Sequence, residues 1–135
     1  MHAGHGETVL VVEDDDRVRR LTARRLRDLR YRVLEASHAA EAIALMAETP
    51  DVEILFSDLV MPGGMSGFDL ARQVRERYPH VRVILTSGYS AGVMNRAGPA
   101  QLDLQVLRKP NRQAELARMF RAALADRAPP AGSGR

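Results

Sequence analysis

The run VLVVEDDDRVRRLTARRLRDLRYRVLEA, from Val9 to Ala36, changes its local pattern twice. It opens on four apolar, mostly β-branched residues, continues with Val18, Leu21, Leu26 and Leu29 at helical spacing, and returns to a strand-like pattern at RVLEA, Arg32 to Ala36. Working outward, the same alternation continues. EILFSD (Glu53 to Asp58), VRVILTS (Val81 to Ser87) and a weaker QVLRK (Gln105 to Lys109) read as further strands. Between and after them, Ala39, Ala42, Ile43 and Met46, then Phe68, Leu70, Ala71 and Val74, and finally Leu116, Phe120 and Leu124 keep helical spacing. Strict alternation of short apolar strands with helices predicts parallel strands joined by right-handed crossovers, with helices covering both faces of the sheet. The class is α/β.

Boundaries follow from capping chemistry. Ser37 and Ser66 stand where a helix should begin, since a hydroxyl there accepts a bond from an orphan backbone N–H. The region Ser90 to Ala100 should hold a fourth helix, yet Gly92, Gly98 and Pro99 predict a short or mobile one. After Asp126 the chain turns to RAPPAGSGR, a composition that reads as a tail or linker stub. The expected organisation is therefore one domain over 8–125, with flexible ends at 1–7 and 126–135, and no internal repeat.

Composition narrows the classes further. At 135 residues, with 45% hydrophobic and 27% charged residues, the chain suits one globular core. No apolar run approaches the roughly 20 residues of a membrane span, so no membrane contact is expected. There is no cysteine, which excludes disulfides and thiolate zinc sites, and the opening MHAGHGE lacks a signal peptide's apolar stretch. A cytoplasmic location is the expectation. His2 and His5, in a Gly-rich terminus, are assigned no function. The net charge of +3 is uneven, because Arg17, Arg19, Arg20, Arg24, Arg25, Arg27, Arg30 and Arg32 crowd one stretch. Nucleic acid is not the expected partner, since aromatics are only 4% and no reading helix is recognisable.

In an open parallel sheet, ligands collect beyond the carboxyl ends of the strands, near the reversal of winding. Glu13 and Asp14 close the first strand, Asp58 the third, Ser87 the fourth and Lys109 the fifth. Singly, each reads as a turn former or cap; together they form a set. Clustered carboxylates repel one another, and a cation relieves that repulsion. All-oxygen ligation without His or Cys suits Mg²⁺, or Mn²⁺ in its place. A carboxylate can attack phosphorus if a metal and a positioned cation offset the charge on the transferring oxygens. Asp58 and Lys109 fit those roles.

These residues resemble the receiver domain of two-component signalling, over nearly the whole chain from Thr8 to about Ala125. VLVVEDD resembles the family's acidic pocket, SDLVMPGGMSG its phosphoacceptor strand and loop, LTSG its switch hydroxyl segment, and LRKP its lysine followed by proline. The resemblance implies a flavodoxin-like fold with strand order 2-1-3-4-5. It makes Asp58 the phosphoacceptor, and gives a metal bound by Glu13, Asp14, Asp58 and the Val60 carbonyl. Asp15 becomes a helix-start residue, and the Lys109–Pro110 bond cis. Ser87 would bond a phosphoryl oxygen, Gly88 would leave space for it, and Lys109 would pair with phosphate and Asp58. The implied partner is a histidine kinase or histidine phosphotransfer protein, with room for a weak or phosphorylation-dependent dimer. Such a domain catalyses its own phosphorylation and slow dephosphorylation rather than turning over an external substrate. The wording GETVLVVEDD and SDLVMPGGMSG resembles the receiver of a hybrid sensor kinase more than a stand-alone regulator.

The departures carry expectations too. Val106 stands where the family commonly places an aromatic, which points to an order change around Ser90 to Pro99 in place of a ring rotation. MPGGMSG carries an extra glycine, expected to loosen the approach to the site. Arg30 replaces a frequent glycine at a helix end, implying strain or a different end, and Arg25, within the first helix's apolar stripe, must send its charge outward. Val60 and Tyr89 would flank the path of a hydrolytic water, and their character suggests a long-lived phospho-state. The Arg-rich helix reads either as a solvated face or as a docking surface for the phosphodonor. Two other functions stand against this reading. A non-phosphorylated interaction module on the same fold would show no Mg²⁺-dependent labelling of Asp58. A small Mg²⁺ phosphatase would usually carry an aspartate at the place of Val60.

Overall fold

The structure, a computed structural model, describes residues 6–59, 66–87, 105–108 and 112–127. Its elements alternate as β1 (Thr8–Val12), α1 (Asp16–Asp28), β2 (Arg32–Ala36), α2 (Ala39–Glu48), β3 (Val52–Asp58), α3 (Gly67–Arg77), β4 (Arg82–Ser87), β5 (Gln105–Arg108) and α4 (Gln113–Arg127). All neighbouring strands pair in parallel, in the order β2-β1-β3-β4-β5. This is the flavodoxin-like sheet anticipated above. β4 begins one residue later than its pattern suggested, because the Val81 amide donates to the Tyr78 carbonyl at 2.9 Å. The expected helix between Ser90 and Ala100, the glycines of the MPGGMSG loop before Ser66, His2, His5 and the tail beyond Arg127 lie outside the described residues.

The strands look uniformly apolar because both faces are covered. Leu10, Val12, Leu55, Val83 and Leu85 join Ala42 and Met46 of α2 and Leu70, Ala71 and Val74 of α3 in one core. Val9, Val11, Ile54, Phe56 and Ile84 face the other way, against Leu26 of α1 and Leu116 and Phe120 of α4. Alternation therefore persists, hidden by the fact that each face meets helices. Phe120 is fully buried, edge-on to Phe56 at 5.0 Å between centroids and tilted against Tyr31 at 5.5 Å. Burial pushes the Tyr31 hydroxyl up to about 12, with Glu7 reinforcing and Arg121 opposing.

Three local expectations need correction. α2 is capped by His38, whose Nδ1 accepts from the Glu41 amide at 3.2 Å; Ser37 is one residue too early for that role. Ser37 instead donates its amide and hydroxyl to Glu41 Oε1, at 2.8 and 3.0 Å, which holds that carboxyl below its usual range. Leu21, read as part of the α1 stripe, is 58% exposed. At 3.6 residues per turn it lies about 140° around the helix from Leu26, and the buried face is set by Ala23 and Leu26. Arg25 does not simply turn out into water. Its Nε donates to Gln113 Oε1 at 3.1 Å while Gln113 Nε2 donates to the Arg25 carbonyl at 2.9 Å, tying α1 to the foot of α4. Burial there lowers the guanidinium's pKa, against the attraction of Glu115.

Ser66 caps α3 and Asp15 caps α1 as anticipated. The end of α1 confirms that Arg30 carries strain. Its φ is 75°, in the left-handed region, where it completes a paired closure: the Arg30 amide reaches the Arg27 carbonyl at 2.9 Å and the Tyr31 amide reaches Leu26 at 3.1 Å. Arg30→Gly is expected to raise unfolding stability by roughly 0.5 to 1 kcal/mol. That is the left-handed penalty of about 1 to 2 kcal/mol, reduced by the greater freedom of the unfolded glycine chain. Urea unfolding of the two proteins checks this, and an unchanged midpoint would show that the helix end bears no such cost.

Candidate functional site

The pocket forms where β1 and β3 end side by side. Their register pairs Val12 with Ser57, so the next residues, Glu13 and Asp58, leave the sheet at the same edge. The sheet neighbour on the other side pairs Asp58 with Thr86, and the Leu59 amide donates to the Thr86 carbonyl at 2.7 Å. Oxygens of Glu13, Asp14 and Asp58 come within 4.8 Å of one another. Glu13 is buried, Asp58 half-buried and Asp14 exposed, so the cluster opens from the interior toward solvent.

Local contacts place the acids at both strand ends. The Glu13 amide donates to the Ala36 carbonyl at 3.1 Å, and its Oε2 accepts from the Asp15 amide at 3.2 Å. The Asp15 carboxylate is committed elsewhere, accepting from the Arg17 and Val18 amides at 3.0 and 3.1 Å as the α1 cap. With Asp16 paired to Arg19, that division of labour explains why the four successive acids after β1, Glu13 to Asp16, do not all enter the cluster. Beneath Asp58 lies Gly67, whose amide donates to the Leu59 carbonyl at 3.0 Å. A Cβ at Gly67 would run into the Asp58 carbonyl oxygen, with the carbonyl carbon at 2.8 Å and Leu59 Cα at 3.0 Å.

Ser87 ends β4 and is 3% exposed, paired in register with Arg108 of β5. Lys109 and Pro110 follow Arg108 and lie outside the described residues, as do Val60, Gly88 and Tyr89. Val106 is half-buried against the α2–α3 side of the core. Among the described residues, the structure thus brings together Glu13, Asp14 and Asp58 of the acids singled out in the sequence.

Two contributors escaped the sequence reading. Gly67 was visible as a glycine after a helix cap, but nothing local shows that a backbone carbonyl will sit against it. Arg19 was one of many arginines, yet its Nη1 donates to the Glu13 carbonyl at 3.0 Å and its side chain is only 14% exposed. The usable signal was angular, since Arg19 lies about 20° from Leu26 around α1.

The comparisons agree with this geometry. The model of the response regulator receiver domain matches residues 9–121. The response regulator receiver protein CpdR of Brucella abortus is 33% identical over 102 residues, covering 76% of this chain and 83% of that protein. The sensor kinase CckA of the same organism is 40% identical over 104 residues, 76% of this chain, but the chain spans only 11% of that kinase's length. In shape, the chain is similar to a CheY-like response regulator receiver domain protein from Methanospirillum hungatei, with a TM-score of 0.80 at 22% identity over 91% of this chain and 97% of that one. Among the described residues no helix is long and apolar enough to cross a membrane. With its sheet order, its acidic cluster and the match over 9–121, the chain belongs to the response regulator receiver domain family.

Proposed function

We propose that this receiver domain accepts a phosphoryl group on Asp58 from a phosphohistidine-bearing partner in a Mg²⁺-dependent reaction, and changes its surface in response. The observation that carries the reading is the convergence of Glu13, Asp14 and Asp58 oxygens within 4.8 Å at the carboxyl edge of the sheet. The donor set fits the ion. All donors are hard oxygens, and an octahedral Mg²⁺ at about 2.0 to 2.1 Å from its ligands holds oxygens up to about 4.2 Å apart, a span that small torsions or water ligands reach from this cluster. Glu13, Asp14, Asp58 and the Val60 carbonyl would hold it. When bound, Mg²⁺ supplies positive charge that offsets the transferring oxygens.

The chain's own groups do the rest. An Asp58 carboxylate oxygen forms a bond to phosphorus as the donor's P–N bond breaks and the imidazole nitrogen keeps the bonding pair. Ser87 donates its hydroxyl to a phosphoryl oxygen, and Lys109 pairs with the phosphoryl group and Asp58. The added charge then biases the neighbouring loops. For the partner, a histidine kinase or histidine phosphotransfer protein in the cytoplasm, the surface assigned is the exposed face of α1, where Arg17, Arg20 and Arg24 surround Leu21. Similarity to part of the sensor kinase CckA supports a place in a phosphorelay that includes hybrid kinases.

The test is direct. Protein incubated with labelled acetyl phosphate should take up label with Mg²⁺ and none with EDTA, and the label should be lost in base, as an acyl phosphate is. Absence of Mg²⁺-dependent label would favour the non-phosphorylated interaction module. Unchanged transfer from a phosphohistidine donor to an Arg20→Glu, Arg24→Glu protein would remove the docking assignment.

A further inference from the structure

One arginine of the crowded first helix does not belong to its solvent face. Arg19 points back under the end of β1 with a side chain 14% exposed, and its guanidinium meets three separate segments. Nη1 donates to the Glu13 carbonyl at 3.0 Å, Nη2 lies 2.7 Å from Asp16 Oδ1 at the start of α1, and Nε donates to Glu35 Oε1 of β2 at 3.3 Å. Glu35 is also approached by Arg27 Nη2 at 3.6 Å, which steadies it from the far side.

We propose that Arg19 is a positioning residue for the metal pocket, fixing the direction in which the Glu13 and Asp14 carboxylates leave the chain. The proposal rests on the reading of the acidic cluster as a cation site. The Glu13 carbonyl and the Asp14 amide belong to one planar peptide. Glu13 is already held on its amide side by Ala36. The Glu13 amide lies in the preceding peptide, so Ala36 and the Arg19 guanidinium hold the two planes that meet at Glu13 Cα, and with them the direction of its Cα–Cβ bond and the peptide from which Asp14 starts. Asp16 and Glu35 balance the guanidinium's charge, so the pocket keeps its negative potential. Only a planar fork of donors serves three acceptors in fixed directions, and a lysine ammonium does not reproduce it.

The sign of the effect separates positioning from simple charge. If Arg19 acted only through its charge, removing it beside a cation site would tighten Mg²⁺ binding. If it positions the acids, removal weakens binding, in the manner of outer partners that orient metal ligands. Mg²⁺ alone is titrated into the full chain, following the Glu13 and Asp14 amide resonances, for wild type, Arg19→Lys and Arg19→Met. The expected result is a dissociation constant roughly tenfold higher in both variants. Glu35→Gln, which loosens one anchor, should give a smaller change in the same direction. Melting in EDTA shows separately that each variant is folded, and the lysine variant keeps the test decisive if the methionine variant is not. Affinity unchanged or tighter in the folded variants overturns the proposal alone. No Mg²⁺ binding by wild type overturns the cation-site reading, and this proposal with it.

Discussion

Asp58→Asn protein, given acetyl phosphate and Mg²⁺, is expected to take up no phosphoryl group while keeping its fold. The substitution replaces a carboxylate oxygen nucleophile by a neutral amide of nearly the same shape, so the chemistry is lost and the packing is not. Because Asp58 is only half-buried and shares its space with Glu13 and Asp14, removing its charge also relieves repulsion. The EDTA-treated variant should therefore unfold at the same urea concentration as wild type or a higher one. Intact-chain mass spectrometry reads the phosphorylation, and the expected loss is complete. Asp14→Asn should reduce uptake without abolishing it, since Asp14 is assigned to the ion and not to the new bond. Undiminished uptake by the Asp58 variant would move the acceptor to another side chain.

The largest structural effect is expected from Gly67→Ala. Intrinsic preference alone makes this change favourable, because alanine in a helix is better than glycine by about 0.5 to 1 kcal/mol. Tertiary contact reverses the sign. The new methyl would collide with the Asp58 carbonyl oxygen, and the backbone atoms around it, at 2.8 and 3.0 Å, cannot swing aside as a flexible side chain would. Either α3 withdraws from β3, opening Leu70, Ala71 and Val74, or the end of β3 moves. A loss of about 3 kcal/mol, the upper range for overpacking a tight contact, is expected in urea unfolding. Phosphoryl uptake should fall as well, because the displaced atoms belong to Asp58, the proposed acceptor. A neutral or stabilising result would mean that α3 does not start against Asp58.

Much of this protein could be read along the chain. Arg32 to Ala36 form the strand their pattern announced, and the adjacent strands gain or lose a single residue at an end. Asp15 and Ser66 cap helices because a short acceptor beside free amides acts within one turn, so the information is local. Where the reading slipped, a competing contact decided the outcome. His38 reached the free amide of Glu41 before Ser37 could. Leu21 kept the spacing of a helix but fell on the wrong arc, because one helical turn does not reveal which side faces the sheet. Arg25 looked misplaced until Gln113, far along the chain, supplied both a donor and an acceptor.

The order of apolar and polar residues alone determined the α/β class, the parallel alternation and the placing of Glu13, Asp14 and Asp58 at strand ends, because periodicity and strand-end position are properties of a few neighbouring residues. Only the tertiary structure decided which arginine reaches the Glu13 carbonyl and which glycine must remain bare. Arg19 joins the residue after β1, a residue of β2 and the start of α1, and Gly67 meets a carbonyl from another element. Both depend on distances between segments, which are fixed only when the sheet and its helices pack.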